Sequence, residues 1–291
     1  MRIAVVADVH GNLPALEAVL DDIERQAVDR LVVNGDLANR GPDTGAVYER
    51  LADHLGGATL GNHDDLMLIA TRRRGPPDTQ WLDDPFWGTV PWSAAQLEGT
   101  GHIERLPMTI KVEEPRAPSL LFSHGSPRHY REGYGVDLTP EVISEITESY
   151  PADVLIGSHT HRPHLMRWGR YTVMNTGAVG CPFNGDARAH YLILTLVSGE
   201  WVPDFRRVPY DRAAALERIR SSGMLEETGL SAMIFYEEFV HASSFLVPFL
   251  MWCETDRREK TRDNWDEFKK RFDVRFREPD APATVRSSQQ P

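Results

Sequence analysis

The sequence predicts an α/β protein in which two mixed β-sheets pack against each other with helices outside. In the first part of the chain, short β-branched apolar runs alternate with segments of helical periodicity, which is typical of a largely parallel sheet. From residue 107 onward strand-like segments dominate, and the last two are joined at residues 198–200 (SGE) by a hairpin signal. After Pro209 the pattern becomes helical, so we expect a C-terminal helical extension.

Each predicted element follows from its own periodicity. Continuous apolar runs predict buried strands at 2–8, 29–36 and 58–64, with helices after them at 12–26, 43–55 and 64–74. Further strands are predicted at 107–112, 118–123, 153–156, 163–168, 171–175, 189–197 and 200–208, with one helix near 139–149. The extension is predicted to contain helices at 211–222, 229–253 and 258–272. These elements divide the chain into a core at 1–209, an extension at 210–275 that packs on the core or at a dimer contact, and a tail at 276–291 that we expect to be disordered.

Composition and charge restrict the partners that this chain can have. With 32 basic and 43 acidic residues the net charge is −11, which disfavours double-stranded nucleic acid and anionic membranes as partners. Cys181 and Cys253 lie far apart, in no paired-ligand spacing, as is typical of a reducing cytoplasm. The first residues already read as a strand, which leaves no room for a signal peptide. We therefore expect a cytoplasmic protein without a membrane partner. Formation of a homodimer is an alternative that the sequence leaves open.

Imidazole, carboxylate and amide side chains collect where the predicted strands end. Open α/β sheets place their ligand sites at the carboxyl ends of strands, so we expect these side chains to meet at one edge. A single histidine in such a position is usually structural, but chance does not explain five of them. The residues concerned are Asp8, His10, Asp36, Asn62, His63, His124, His159 and His161.

These residue types indicate a metal site. Imidazole together with carboxylate or amide oxygen suits manganese, iron or zinc, and the absence of thiolate disfavours a structural zinc site. Even seven of these eight side chains are too many ligands for one tetrahedral ion, but they suit two ions about 3.5–4 Å apart that share a bridging carboxylate. We therefore expect two divalent transition metals, most simply manganese or iron, with zinc or nickel as alternatives. Such ions would also let an acidic chain attract a phosphorylated substrate.

The motifs DVH, GD, GNHD, SHG and GSHTH occur in the order and rough spacing seen in the calcineurin-like metallophosphoesterases. The segments HGSPR (124–128) and NTGAVGCPFNGDARAHYLIL (175–194) resemble the bacterial and archaeal phosphodiesterase branch of that superfamily. The resemblance covers about residues 1–208 and implies an α/β/β/α sandwich. It also implies hydrolysis of a phosphodiester or phosphomonoester, a nucleotide or another phosphorylated small molecule, by in-line attack of a metal-bridging hydroxide.

The resemblance assigns a role to each matching residue. One ligand set holds the first metal, a second set holds the second metal, and Asp36 belongs to both as the bridge. His63 matches the catalytic histidine, which protonates the leaving oxygen or stabilises charge on the phosphoryl group. The first set is Asp8, His10, Asp36 and His161, and the second is Asp36, Asn62, His124 and His159.

The stretch GDLANRGPDT (35–44) keeps further alternatives open. Arg40 resembles the phosphate-binding arginine of protein phosphatases and of diadenosine-polyphosphate hydrolases, and its alternative role is a salt bridge. Asn39 stands where protein phosphatases have an aspartate that orients the catalytic histidine, and an amide cannot supply that negative charge. Asp64 is a second candidate carboxylate beside His63. The alternative functions are thus a diadenosine-polyphosphate hydrolase or a serine/threonine phosphatase and, more remotely, a catalytically silent protein-binding scaffold.

Aromatic residues between 75 and 102, together with the extension, are expected to influence substrate selection. Aromatic rings there could stack on a nucleotide base, but packing within the protein is the favoured interpretation. The residues concerned are Trp81, Phe86, Trp87 and Trp92.

Overall fold

The computed structural model describes residues 1–72, 79–135 and 138–272, so the predicted tail at 276–291 lies outside the described residues. Its strands, in chain order, are β1 (Arg2–Val6), β2 (Arg30–Val33), β3 (Thr109–Val112), β4 (Leu120–Ser123), β5 (Val154–Gly157), β6 (His164–Trp168), β7 (Tyr171–Asn175), β8 (Ala189–Val197) and β9 (Glu200–Val208). They form a four-stranded sheet of order β2-β1-β8-β9 and a five-stranded sheet of order β3-β4-β5-β7-β6. The prediction of two mixed sheets is confirmed.

The α-helices, in chain order, are α1 (Leu13–Arg25), α2 (Thr44–Arg50), α3 (Asn62–Arg72), α4 (Thr89–Ala94), α5 (Pro140–Ser149), α6 (Arg212–Ser221), α7 (Met224–Glu227), α8 (Leu230–His241), α9 (Leu246–Thr255) and α10 (Arg262–Phe272). Short 3₁₀ helices lie at Ala52–Gly57, Gln80–Asp83, Pro85–Trp87 and Ile103–Arg105. Within the described ranges, no helix is both long enough and apolar enough to cross a membrane.

The parallel strands bring their carboxyl ends to the edges where the polar residues follow. In the first sheet β1 is parallel to β2 and antiparallel to β8. In the second sheet β4, β5 and β7 are parallel neighbours, while β3 and β6 run antiparallel at the two sides. The loops that leave β1, β2, β4 and β5 can therefore meet at one end of the sandwich.

The continuous apolar run of β1 reflects burial on both of its faces. Ile3 and Val5 pack in one cluster with Ile156 of the second sheet. Ala4 and Val6 point the other way and pack in a cluster that contains the apolar face of α1. A further cluster joins α5 to the outer face of the second sheet. The order of layers is thus helix, sheet, sheet, helix.

The prediction of a strand at 58–64 is wrong. The structure forms only one parallel bridge there, between Val33 and Ala58, and α3 begins at Asn62. The cause is Asp64, whose carboxylate accepts the backbone N–H groups of Gly61 (3.1 Å) and of Asp36 (2.7 Å). These hydrogen bonds occupy backbone donors that a strand would need for its neighbours.

The single helix predicted at 229–253 is in fact two helices, α8 and α9. The chain leaves α8 through Ala242, whose φ of 48° is left-handed. Glu238 stabilises the break, because its Oε1 accepts the N–H groups of Phe245 (2.7 Å) and Leu246 (2.8 Å) at the start of α9. A carboxylate at a helix N-terminus satisfies donors that have no partner within the helix.

The helical extension contacts the sandwich through two apolar clusters. One cluster joins α6, α7 and α8 to Cys181 and Phe183. The other joins α8, α9 and α10 to Phe86, whose ring stacks on that of Phe249 at 6.4 Å. Trp92 donates its indole N–H to Glu227 (3.0 Å). These aromatic residues therefore pack against the extension, in agreement with the favoured interpretation.

Gly180 packs directly against the backbone of the loop that follows β1, which is possible because glycine has no Cβ atom. A Cβ atom at this position would lie 1.8 Å from the carbonyl oxygen of Val9. We therefore expect Gly180→Ala to lower the free energy of unfolding by about 1–3 kcal/mol or more, because the backbone must shift. Gly56→Ala is the matched control, since nothing lies within 4 Å of a Cβ there. Equal denaturant midpoints for the two variants would contradict this.

Candidate metal centre

The structure brings all of the predicted ligand residues together at the carboxyl ends of the strands. Their side chains form two groups, and within each group the ligand atoms lie within 4.8 Å of one another. A third group of three residues, which includes His63, connects the two. The first group is Asp8, His10 and His161, the second is Asp36, His124 and His159, and the third is His10, Asp36 and His63.

The backbone of these loops is left-handed at five of the seven predicted ligand residues. The strand predicted at 2–8 stops at Val6, and both Asp8 and His10, which follow it, have positive φ. Each such residue costs about 1–2 kcal/mol relative to the right-handed region, and such strain is concentrated at functional sites. The φ angles are Asp8 52°, His10 49°, Asp36 56°, His159 50° and His161 58°.

Three of the histidines hold Nδ1 against a backbone carbonyl oxygen. In the tautomer that this contact favours, Nδ1 donates its proton and the lone pair of Nε2 is left free to bind a cation. His10 and His161 illustrate the result, since their two Nε2 atoms lie 3.2 Å apart. The contacts are His10 with Ala38 (3.1 Å), His124 with Asn34 (2.9 Å), and His161 with Cys181.

Asp36 lies between the two ligand groups. Its Oδ2 atom is 3.2 Å from Nε2 of His124 and 3.7 Å from Nε2 of His10. The other carboxylate oxygen, Oδ1, accepts the backbone N–H of His63 (2.7 Å). On the side of the second group, His124 Nε2 is also 3.2 Å from Oδ1 of Asn62. This central position suits a carboxylate that two cations share.

Asp8 provides the test of whether these residues fit a metal ion. Its carboxylate is fully buried, and neither oxygen has a hydrogen-bond partner within the described part of the chain. Its Oδ1 lies 3.3 Å from Nε2 of His161, and burial raises the pKa of the carboxyl well above its usual range. A buried carboxylate without partners is costly unless a cation compensates it. Together with the imidazole and amide donors, it fits a divalent transition metal.

The pKa shifts of the histidines also fit a metal site. Burial, the largest cause, lowers the pKa of His10 and His161 well below the usual range, and lowers that of His159 to about 4. These imidazoles are therefore neutral at pH 7, as metal ligands must be. Burial also acts on His124, but the Asp36 carboxylate outweighs it and raises the pKa to about 9. In the absence of metal, His124 is therefore protonated at pH 7 and places a positive charge beside Asp36.

The orientation of His63 is set by Asn39. The amide oxygen of Asn39 accepts the backbone N–H of Arg40 (2.7 Å), which leaves its Nδ2 facing Nδ1 of His63 at 3.1 Å. An amide N–H can only donate, so Nδ1 is the acceptor and the proton lies on Nε2. Burial lowers the pKa of His63 to about 3, and the imidazole is therefore neutral. Asn39 contacts the histidine, as the resemblance implies, and it does so without a negative charge.

Asp64 lies beneath the loop that carries Asp36. Its carboxylate accepts the backbone N–H groups of Asp36 (2.7 Å) and Leu37 (2.9 Å) and the hydroxyl of Tyr48 (2.6 Å). These contacts make Asp64 a positioning residue for the bridging carboxylate. The sequence placed Asp64 near the site but did not reveal these backbone partners.

Arg40 lies beside the site but is committed to another partner. Its buried guanidinium forms an ion pair with Glu238 of α8. It also lies over the rings of Phe235 (4.8 Å) and Phe183 (5.5 Å). The resemblance implied a phosphate-binding arginine, whereas the alternative, a salt bridge, is what the structure contains. Sequence reasoning missed Glu238 because it lies 198 residues from Arg40 and outside the family motifs.

Comparison with known proteins identifies the family that this fold and this site define. A model of the calcineurin-like phosphoesterase family matches residues 1–163, so the chain belongs to that family. It is therefore a metallophosphoesterase, a phosphoric ester hydrolase by class. A crystal structure of a metallophosphoesterase from Sphaerobacter thermophilus shares the fold with a TM-score of 0.63 and 25% identity, over 83% of this chain and 100% of that one.

Two curated relatives have activities in their names. The chain is 25% identical to the phosphodiesterase YfcE of Escherichia coli strain K12, over 66% of this chain and 87% of YfcE. It is 31% identical to the symmetrical bis(5′-nucleosyl)-tetraphosphatase of Pseudomonas putida, over 49% of this chain and 48% of that enzyme. The second similarity therefore covers only about half of each protein.

The unpartnered carboxylate of Asp8 leads to a stability prediction. We expect Asp8→Asn to raise the Tm of the metal-free protein by about 2–4 °C, because an amide at this buried position has no charge to desolvate and none to repel Asp36. We also expect Mn²⁺ to raise the Tm of the wild type but not that of the variant. Calorimetry with and without chelator measures both effects, and Asp53→Asn, at an exposed position, is the control. A metal-free Asp8→Asn protein that melts below the wild type would contradict the prediction.

Proposed function

We propose that the chain is a dinuclear metal-dependent phosphoesterase that hydrolyses phosphodiester or phosphomonoester bonds in a small molecule such as a nucleotide. The observation that carries the proposal is the pair of ligand groups that converge on Asp36. Asp8, whose buried carboxylate has no hydrogen-bond partner in the described structure, supports it.

Two ligand sets, which share Asp36, would hold the metals. When bound, two divalent ions, most simply manganese or iron with zinc or nickel as alternatives, would neutralise phosphate charge and generate a nucleophile from water at neutral pH. The first set is Asp8, His10, Asp36 and His161, and the second is Asp36, Asn62, His124 and His159.

His63 is proposed to assist the leaving group. Its Nδ1 accepts a hydrogen bond from the Asn39 amide, so the N–H group at Nε2 can donate a hydrogen bond to the leaving oxygen. Burial lowers the pKa of His63 to about 3, so the imidazole is neutral, keeps this proton and stabilises the negative charge that develops as the bond from phosphorus to the leaving oxygen breaks. The oxygen of water forms the new bond to phosphorus, and a proton that this water loses ends on the leaving oxygen.

A covalent intermediate on cysteine is disfavoured. Cys181 is buried beside the site, and burial raises the pKa of its thiol well above the usual range. The thiolate is the nucleophilic form of cysteine, so this side chain is not activated. Direct attack by water remains the reaction that the site supports.

The second candidate function is hydrolysis of dinucleoside polyphosphates. The 31% identity to the tetraphosphatase favours it, and the GDLANRGPDT loop resembles the corresponding loop of diadenosine-polyphosphate hydrolases. The commitment of Arg40 to Glu238 weighs against it, because that arginine is the expected phosphate ligand. Protein phosphatase activity is disfavoured by the neutral Asn39 beside His63. A silent scaffold is disfavoured because every ligand position holds a competent residue.

A substrate panel tests the proposed function. Protein loaded with Mn²⁺ is assayed on aryl phosphomonoesters and phosphodiesters, cyclic nucleotides, dinucleoside polyphosphates and a phosphopeptide. We expect hydrolysis of an aryl ester and two metal ions per chain. In Asp36→Ala we expect both to be lost, because the shared carboxylate is gone. If Asp36→Ala retains activity within about tenfold of the wild type, the dinuclear arrangement is refuted.

A His63→Ala variant tests whether the Nε2–H group assists the leaving oxygen. We expect about 100-fold or greater loss on phenyl esters, and a smaller loss on nitrophenyl esters, whose leaving group stabilises the negative charge by itself. The metal content should stay unchanged, since His63 belongs to neither proposed ligand set. Equal losses on the two esters would show that His63 does not assist the leaving oxygen.

A further inference from the structure

Arg40, which matches the phosphate-binding arginine of the family motif, is held by the helical extension. Its guanidinium is buried, pairs with Glu238 and is enclosed by two phenylalanine rings. Glu238 cannot turn away freely, because its other oxygen accepts the N–H groups of Phe245 and Leu246. Recruiting Arg40 to a phosphate would leave this carboxylate buried without its partner, which is costly.

A second arginine, Arg131, lies on the loop that follows His124. The loop is attached to both sides of the site. The hydroxyl of Tyr130 donates to Oδ2 of Asp65 (2.7 Å), on the helix whose first turn carries His63. On the other side Gly133 packs so closely that a Cβ there would lie 3.0 Å from Cδ2 of His159. Arg131 lies between Tyr130 and Gly133, the two residues through which the loop contacts the site.

The loop fixes the backbone of Arg131 but leaves its charge available. Its N–H donates to Nδ1 of His129 (3.0 Å), and its guanidinium lies over the ring of Tyr130 at 5.8 Å. The side chain is exposed and has no carboxylate partner within the described residues. By contrast, Arg128 on the same loop is neutralised by Glu132.

The contacts made by Tyr130 and Gly133 bring the backbone of Arg131 to the edge of the site. Tyr130, which precedes Arg131, is bound to the helix that carries His63, and Gly133, two residues further on, packs against His159. An arginine in this position can donate two parallel hydrogen bonds to phosphate oxygens.

We propose that Arg131, rather than Arg40, is the cation of this chain that binds the phosphoryl group of the substrate. This inference rests on the proposed function and adds a substrate-binding residue to it. The role assigned to Arg40 is to position the loop after β2 by pairing with the helical extension.

Calorimetric titration of inorganic phosphate into the Mn²⁺-loaded protein tests the proposal without relying on turnover. We expect Arg131→Gln to weaken phosphate binding by about 10- to 100-fold, because one charged pair of hydrogen bonds is lost. Arg170→Gln is the matched control, since Arg170 also lies over a tyrosine ring (4.7 Å) but in the turn between β6 and β7. This control should bind phosphate like the wild type.

A further variant separates the two arginines. Glu238→Gln keeps an acceptor for the α9 N–H groups but removes the charge that holds Arg40. We expect its phosphate affinity to equal that of the wild type. Tighter binding in Glu238→Gln, or unchanged binding in Arg131→Gln, would overturn the proposal and leave the phosphoesterase function standing. A wild-type protein that takes up no metal would instead contradict the proposed function itself.

Discussion

The structure depends on two buried carboxylates that the fold brings together and does not fully neutralise. Asp36 has histidine neighbours, whereas both oxygens of Asp8 lack a hydrogen-bond partner in the described structure. Burying such charges is tolerated only when a cation compensates them. The left-handed backbone at the ligand residues and the carbonyl contacts of the histidines both serve to direct donor atoms at the same space. The requirement for a cation thus explains features that would each be unfavourable alone.

The strained loops persist because their backbones support one another across the sandwich. Asp64 holds the loop after β2 through the N–H groups of Asp36 and Leu37. Gly180 closes over the loop after β1, where its N–H donates to the carbonyl oxygen of Asp8 (2.9 Å). Both supports lie on other segments of the chain, so the geometry of each ligand is set by tertiary contacts. Strain at a functional site persists when the surroundings over-determine it in this way.

The sequence predicted the sheets and the ligand residues because both leave local patterns. Apolar runs followed by short polar motifs mark the carboxyl ends of parallel strands, and these ends meet by geometry. The beginning of α3 was missed because it depends on Asp64, which also binds the backbone N–H of Asp36, 28 residues away. The break between α8 and α9 was missed because the apolar run continues through Ala242, while a buried carboxylate, Glu238, caps the second helix. Periodicity carries no signal for such contacts.

The pair of Arg40 and Glu238 explains how the extension and the metal centre depend on each other. Two divalent ions and an unpaired guanidinium would place like charges close together in a poorly solvated space. Glu238 offsets the charge of Arg40, so bound ions would be the main source of positive potential inside the site. A cation at the rim meets no such restriction, because solvent screens it. The proposed roles therefore separate a buried arginine, Arg40, that holds the loop from an exposed arginine, Arg131, that would meet the substrate.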